Sequence, residues 1–227
     1  MNLFPNQLKY KYLYKGKKKI EDIIFNFISK KLSFSKKYKF KMLEDSKTVT
    51  NEMASNLVQI DFLIFLIQIF KPKNILEIGS FIGKSTLSFA KYSDKNCKIY
   101  TIERWERIYK ILLKNIKNNK LQKKIIPFLG DGKEIIKKLG KKKFDFIFID
   151  GNKENYKEYL NYSRSAVSAN GVIIVDDIFF HGDVFNKIAK TKKGFGLKRM
   201  LSFLETKFKN YKKTIIPISN GILILKK

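Results

Sequence analysis

The sequence predicts an α/β protein built on a doubly wound, mostly parallel seven-stranded sheet, with an antiparallel hairpin at its C-terminal edge and helices at its N terminus. Three observations carry this expectation. Short β-branched runs near 74–78, 98–102, 124–129, 144–149 and 171–176 alternate with helical periods near 84–92, 104–118, 132–139, 153–169 and 196–208, and such alternation winds a parallel sheet. The stretch 74–86, NILEIGSFIGKST, runs from an apolar strand through Gly79 and Gly83 into a helix, as at the first turn of a nucleotide-binding domain. Last, the runs 214–218 and 222–225 flank Ser219-Asn220-Gly221. A parallel crossover needs a far longer connection, so these two strands pair antiparallel.

The chain has 227 residues, 44% of them hydrophobic, enough for one well-buried domain and short for two. Residues 1–46 are expected to form a basic helical extension packed on the main domain, 47–227. In the extension, Ile20, Ile23, Ile24, Phe27, Ile28 and Leu32 recur at helical spacing, so 20–34 reads as an amphipathic helix. Thr50 or Asn51 is placed to cap the next helix, which Lys71-Pro72 ends at Phe70. Its apolar run, Leu57 to Phe70, is interrupted by Gln59, Asp61 and Gln68 and is shorter than the ~20 residues that span a bilayer. It is therefore expected to be a buried helix, with no membrane association.

The single cysteine, Cys97, excludes an internal disulfide framework, and the N terminus lacks the apolar core and small-residue cleavage site of a signal peptide. Both point to the cytoplasm. The net charge of +28 invites a polyanion-facing role, but only four of the 48 basic residues are arginine, and lysine lacks the planar fork suited to phosphate and base recognition. Compositional drift in a Lys-, Ile- and Asn-rich chain and a functional basic surface both account for the charge.

The glycine turn fits neither of two common phosphate-binding patterns. A P-loop places four residues between its glycines and the chain has three; the G-x-G-x-x-G pattern fails because Phe81 stands at its second glycine. What remains is Glu77-x-Gly79-x-x-x-Gly83. Glu103, at the tip of the second strand and 24 positions past Gly79, is placed to accept from ribose hydroxyls, although an acid at a helix start also suits the helix dipole. Asp131, in Gly130-Asp131-Gly132, is either an adenine contact or part of a plain turn.

The densest chemical signal is a set of carboxylates at strand tips. FIFI delivers Asp150 and VIIV delivers Asp176 and Asp177, so adjacent parallel strands set three acids on one rim. Their mutual repulsion calls for a compensating cation, and oxygen-only ligands suit Mg²⁺, Mn²⁺ or Ca²⁺ rather than Zn²⁺. A helix cap at Asp150 and a solvent-facing Asp177 are the plainer alternatives.

The runs FDFIFIDGNKENYKEYL and GVIIVDDIFFHGDV, with EIGSFIG and the closing TIIPISNGILILKK, resemble the metal-dependent catechol and caffeoyl-CoA O-methyltransferases of the class I methyltransferase fold, a family with bacterial members that act on 5-hydroxyuridine in tRNA. The likeness spans about residues 40–227. It implies S-adenosylmethionine held by Val49, Glu77, Gly79, Ser80, Gly83, Ser85, Glu103, Asp131 and Asp150; a divalent cation on Asp150, Asp176 and Asp177; and Lys153 as the base, three residues past the first ligand. Burial near the cation is expected to lower the pKa of Lys153. Where the family usually has Asn, Tyr and Ala, this chain has Asp177, Lys84 and Gly151. His181, the only histidine, is expected to serve its loop rather than the chemistry. The acceptor implied is a small vicinal diol or a tRNA uridine, and a homodimer is a further expectation. From another class, the chain reads as an inactive cofactor-fold module that binds nucleic acid; a P-loop phosphotransferase is the most distant reading.

Overall fold

The computed structural model describes residues 27, 31, 40–44 and 57–227. The helix expected over 20–34, the cap at Thr50 or Asn51, and Val49 lie outside the described residues or almost wholly so. Among the described residues the order is α1 (Leu57–Phe70), β1 (Asn74–Ile78), α2 (Lys84–Tyr92), β2 (Lys98–Glu103), α3 (Glu106–Asn118), β3 (Ile125–Leu129), α4 (Gly132–Leu139), β4 (Phe144–Ile149), a 3₁₀ turn (Lys153–Asn155), α5 (Tyr156–Ala166), β5 (Val167–Val175), a second 3₁₀ segment (Phe180–Phe185), α6 (Lys192–Lys207), β6 (Lys212–Ile216) and β7 (Ile222–Lys226).

The seven strands form one sheet in the order β3-β2-β1-β4-β5-β7-β6. The first five are parallel, and β7 runs antiparallel to both β5 and β6. The strand order reverses at β1, between β2 and β4, and in an open parallel sheet that switch point opens a crevice beyond the strands' carboxyl ends.

The β4 sequence Phe-Asp-Phe-Ile-Phe-Ile is apolar on both faces because both faces are covered. Leu63 and Ile67 of α1, Leu87 of α2 and Leu112 of α3 pack with Ile75, Phe146 and Phe148 on one face. Ile135 of α4, Leu160 of α5 and Leu197 and Met200 of α6 pack with Leu76, Ile147 and Ile149 on the other. Each such side chain contributes roughly 1.5–3 kcal/mol when removed from water. No helix among the described residues is long and apolar enough to cross a membrane. α1 buries Leu63, Ile64 and Ile67 but leaves Phe65 and Ile69 exposed, so it is a covering helix rather than a fully buried one.

Several boundaries differ from the sequence expectation, three of them with a visible structural reason or consequence. The helix expected over 153–169 is a 3₁₀ turn followed by α5, and Val167–Ala169 already belong to β5, where Val167 pairs with Phe144. No glycine or proline marks that change before Gly171. The helix expected from 196 begins at Lys192, where Thr191 Oγ1 accepts from the Gly194 amide at 2.9 Å. Gly196 sits within this helix for a packing reason: a Cβ there would meet the Lys153 carbonyl oxygen at 2.5 Å. Finally, β6 starts at Lys212, two residues before the expected run.

Candidate active site

The β1 turn is where the backbone first departs from regular geometry. Gly79 has φ +100°, and a Cβ on it would lie 2.2 Å from the Asp150 carbonyl oxygen, so only glycine allows the two strand tips to meet. The Gly79 and Ser80 amides donate to Ile102 O at 3.0 and 3.1 Å, and the Asp150 amide donates to Ile78 O at 2.9 Å. The Asp176 amide donates to Ile149 O at the same distance. These bonds extend the ladder one step past each strand and fix the rim on which the functional side chains stand.

Beyond the rim lies a cavity of about 490 Å³. Gly79, Ser80, Ser85, Glu103, Asp150, Lys153, Asp176 and Asp177, all singled out in the sequence, line it. Glu77, Gly83 and Asp131 do not. Side chains alternate along β1, so Glu77 shares the face of Ile75 and points beneath the turn, where it accepts from Ser85 Oγ at 2.5 Å, Thr101 Oγ1 at 2.6 Å, and Thr86 Oγ1. Burial pushes its carboxyl up to about 7 against the pull of those hydroxyls. Gly83 opens α2 with φ +96°. Asp131 caps α4, accepting from the Lys133 amide at 2.8 Å; Gly130 and Gly132 form the cavity wall there.

Glu103 is buried, and its two oxygens accept from the Phe81 amide at 2.9 Å and the Trp105 amide at 2.8 Å, tying the glycine turn to the β2 tip. Burial raises its pKa, although those amides pull the other way. Ser80 Oγ is buried at the cavity wall with no hydrogen-bond partner among the described residues. An unmatched polar atom beside a glycine turn and a strand-tip acid fits the polar parts of a nucleoside-bearing cofactor.

At the other end of the cavity, Lys153 Nζ lies 2.8 Å from Asp177 Oδ2 and 3.5 Å from Asp150 Oδ1. Burial pushes the Asp150 carboxyl up, Lys153 draws it back and Asp177 raises it again, leaving it at about 6. Asp176 is held well above the carboxylate range by burial and then by Asp150 and Asp177. Its Oδ1 accepts from the Asp177 amide at 2.8 Å and its Oδ2 from Gln59 Nε2. Burial opposes the charge of Lys153, but among the protein's own groups Tyr156, Asp150 and Asp177 outweigh it and hold the ammonium well above its ordinary value.

Three oxygen donors that repel one another match a hard divalent cation in kind. As they stand they do not enclose one: among the described residues no three acidic, histidine or cysteine side chains are grouped to hold a metal ion.

Sequence reasoning missed Gln59, Arg104, Trp105, Tyr159 and Phe180 on the cavity wall. Arg104 and Trp105 carried a signal, since they directly follow the ribose-type acid; they were assigned to the helix that in fact starts at Glu106. His181 lines the cavity from a loop in which it has φ 52°.

The O-methyltransferase family profile matches residues 32–227. The chain belongs to the O-methyltransferase family. It is thus an S-adenosylmethionine-dependent enzyme on the class I methyltransferase fold. It is 28% identical over 180 residues to a probable caffeoyl-CoA O-methyltransferase of Dictyostelium discoideum, covering 77% of this chain and 78% of that one. To a catechol O-methyltransferase of Niastella koreensis it is 30% identical over 146 residues, 63% of this chain and 66% of the other. Among solved structures, a methyltransferase of Podospora anserina bound to S-adenosylhomocysteine superposes with a TM-score of 0.78 at 20% identity, over 92% of this chain and 96% of its own. A Bacillus cereus O-methyltransferase, also with S-adenosylhomocysteine, gives 0.72 at 24%, over 77% and 83%. These two likenesses concern the fold.

Proposed function

We propose that this O-methyltransferase is divalent-metal-dependent and methylates one hydroxyl of a small vicinal diol of the catechol type. The observation that carries the reading is the single cavity that joins the Gly79 turn to the acidic rim of Asp150, Asp176 and Asp177, with Lys153 between its carboxylates. The names of the relatives, catechol and caffeoyl-CoA O-methyltransferases, support the acceptor class.

In this reading Gly79, Ser80, Ser85 and Glu103 hold the cofactor, with Glu77 acting from beneath through Ser85 and Thr86. Asp150, Asp176 and Asp177 would hold the cation, Mg²⁺ or, in its place, Mn²⁺ or Ca²⁺. When bound, such an ion lowers the pKa of a hydroxyl it polarises. Once freed of Asp177, the Lys153 ammonium would give a proton to water, and the neutral amine would then take the acceptor hydroxyl's proton. The oxyanion attacks the sulfonium methyl; the O–C bond forms as the S–C bond breaks, leaving the neutral thioether S-adenosylhomocysteine. Holding oxygen and methyl at attack distance supplies much of the acceleration.

A second reading, a hydroxylated uridine of tRNA as acceptor, draws on the charge of +28 and on the cation-bearing aromatics at the cavity: Arg104 stands 5.2 Å from the Trp105 ring and Lys193 5.5 Å from the Phe180 ring. Transfer of labelled methyl to catechol and to tRNA carrying 5-hydroxyuridine, run in parallel, decides between them. Label on catechol is expected; label on tRNA alone sinks the small-diol reading.

A further inference from the structure

The acidic rim already has a cation, and the chain supplies it. The Lys153 side chain is only 11% exposed, with its ammonium 2.8 Å from Asp177 Oδ2 and 3.5 Å from Asp150 Oδ1. Its backbone cannot withdraw, because Gly196 of α6 packs against the Lys153 carbonyl so closely that a Cβ would come within 2.5 Å. Asp177 is also fixed, in a left-handed conformation with φ 55°, directly after the β5 tip. Asp176, the third acid, has one oxygen committed to the Asp177 amide and the other to Gln59. A divalent ion entering this rim therefore meets two carboxylates that an ammonium already shares.

We propose that Lys153 is the resident counter-ion of this rim, and that a divalent cation binds by displacing its ammonium from Asp177. Binding of the ion and release of the lysine are then one exchange. This rests on the metal-dependent reading above and adds to it: the Lys153 side chain is freed into the cavity only when the cation is in place. The tether leaves the released ammonium a nearby resting place, since Nζ lies 5.6 Å from the Tyr156 ring centroid. Without the divalent ion, the ammonium stays ion-paired and offsets one of the rim's negative charges.

The test is the affinity of the full chain for Mn²⁺, read by the electron paramagnetic resonance of the free ion, with neither cofactor nor acceptor present. Removing the competitor in Lys153→Met should tighten Mn²⁺ binding by roughly tenfold, the range of a direct charge-pair coupling. In the Asp177→Asn background, where the ammonium has lost its nearer partner, the same Lys153→Met change should yield a clearly smaller gain. S-adenosylhomocysteine binding reports whether each variant is folded, and Lys153→Gln replaces Lys153→Met if the latter is not. Equal or weaker Mn²⁺ binding by the lysine variant, beside measurable binding by the unaltered chain, overturns the exchange and leaves the metal-dependent reading standing. An undiminished gain in Asp177→Asn overturns the assignment of the competition to Asp177. Absence of Mn²⁺ binding by every form overturns both the exchange and the metal-dependent reading.

Discussion

Gly79 and Asp150 belong to different strands, yet a single methyl group at Gly79 would stand 2.2 Å from the Asp150 carbonyl oxygen. The cofactor turn and the first acid of the rim are thus built as one contact, and neither moves without the other. Gly79→Ala combines that clash with a Cβ at φ +100°, and should cost roughly 3 kcal/mol of stability. Affinity for S-adenosylhomocysteine should fall by at least about tenfold, read by calorimetry. A variant of unchanged stability and affinity would mean that the two tips are not in contact.

Glu77 makes stability depend on pH. Its carboxyl titrates at 4.5 in its ordinary state and at about 7 in the fold, chiefly through burial. Between those values the folded protein keeps a proton that the unfolded chain has lost. The contribution is therefore fully present below pH 4.5 and drains away as pH rises to about 7, and a shift of that size corresponds to about 3 kcal/mol. Glu77→Gln has no such proton to lose. Urea unfolding at about pH 5 and about pH 8 should show the variant gaining on the unaltered chain at the higher pH; parallel behaviour at both would contradict the assignment.

Much of this was legible in the sequence because the signals were local. The alternating β-branched runs of β1 to β5 set the parallel sheet, and the short Ser219-Asn220-Gly221 connection dictated the antiparallel pairing of β6 and β7. The acids at 103, 150, 176 and 177 were visible as the residues that end apolar runs. What was hidden depended on distance through space. Gln59 reaches Asp176 across 117 positions of chain, and no spacing announces that. Gly196 stood at the start of an expected helix, and nothing in the spacing showed that the Lys153 carbonyl lies against it. Glu77 sat in the right motif but faced the wrong way, a consequence of strand alternation that one residue's register decides. The phenol of Tyr156, which joins the two carboxylates around Lys153, is another partner that only the fold brings into place.

Asp150 should trade stability for function. Burial, with Asp177 nearby, pushes its carboxyl up to about 6 even though Lys153 opposes the rise. Ionisation therefore costs the fold something above that pH, and stability from this group is lost as pH climbs from the ordinary carboxylate range through about 6. At about pH 8, Asp150→Asn should melt a few degrees higher than the unaltered chain, since it removes a buried charge. Methyl transfer should fall by at least about a hundredfold, because Asp150 is one of the three acids proposed to hold the cation. A lower melting temperature, or transfer within a few-fold of the unaltered rate, would refute this trade.

The most direct test of the account is methyl transfer from S-adenosylmethionine to catechol by the protein before chelation, after exhaustive treatment with a metal chelator, and after Mg²⁺ is restored. Transfer that stops with the chelator and returns with Mg²⁺ is the predicted result. Transfer that continues undiminished in the chelated protein would contradict a cation on Asp150, Asp176 and Asp177, and with it the proposed role of the rim.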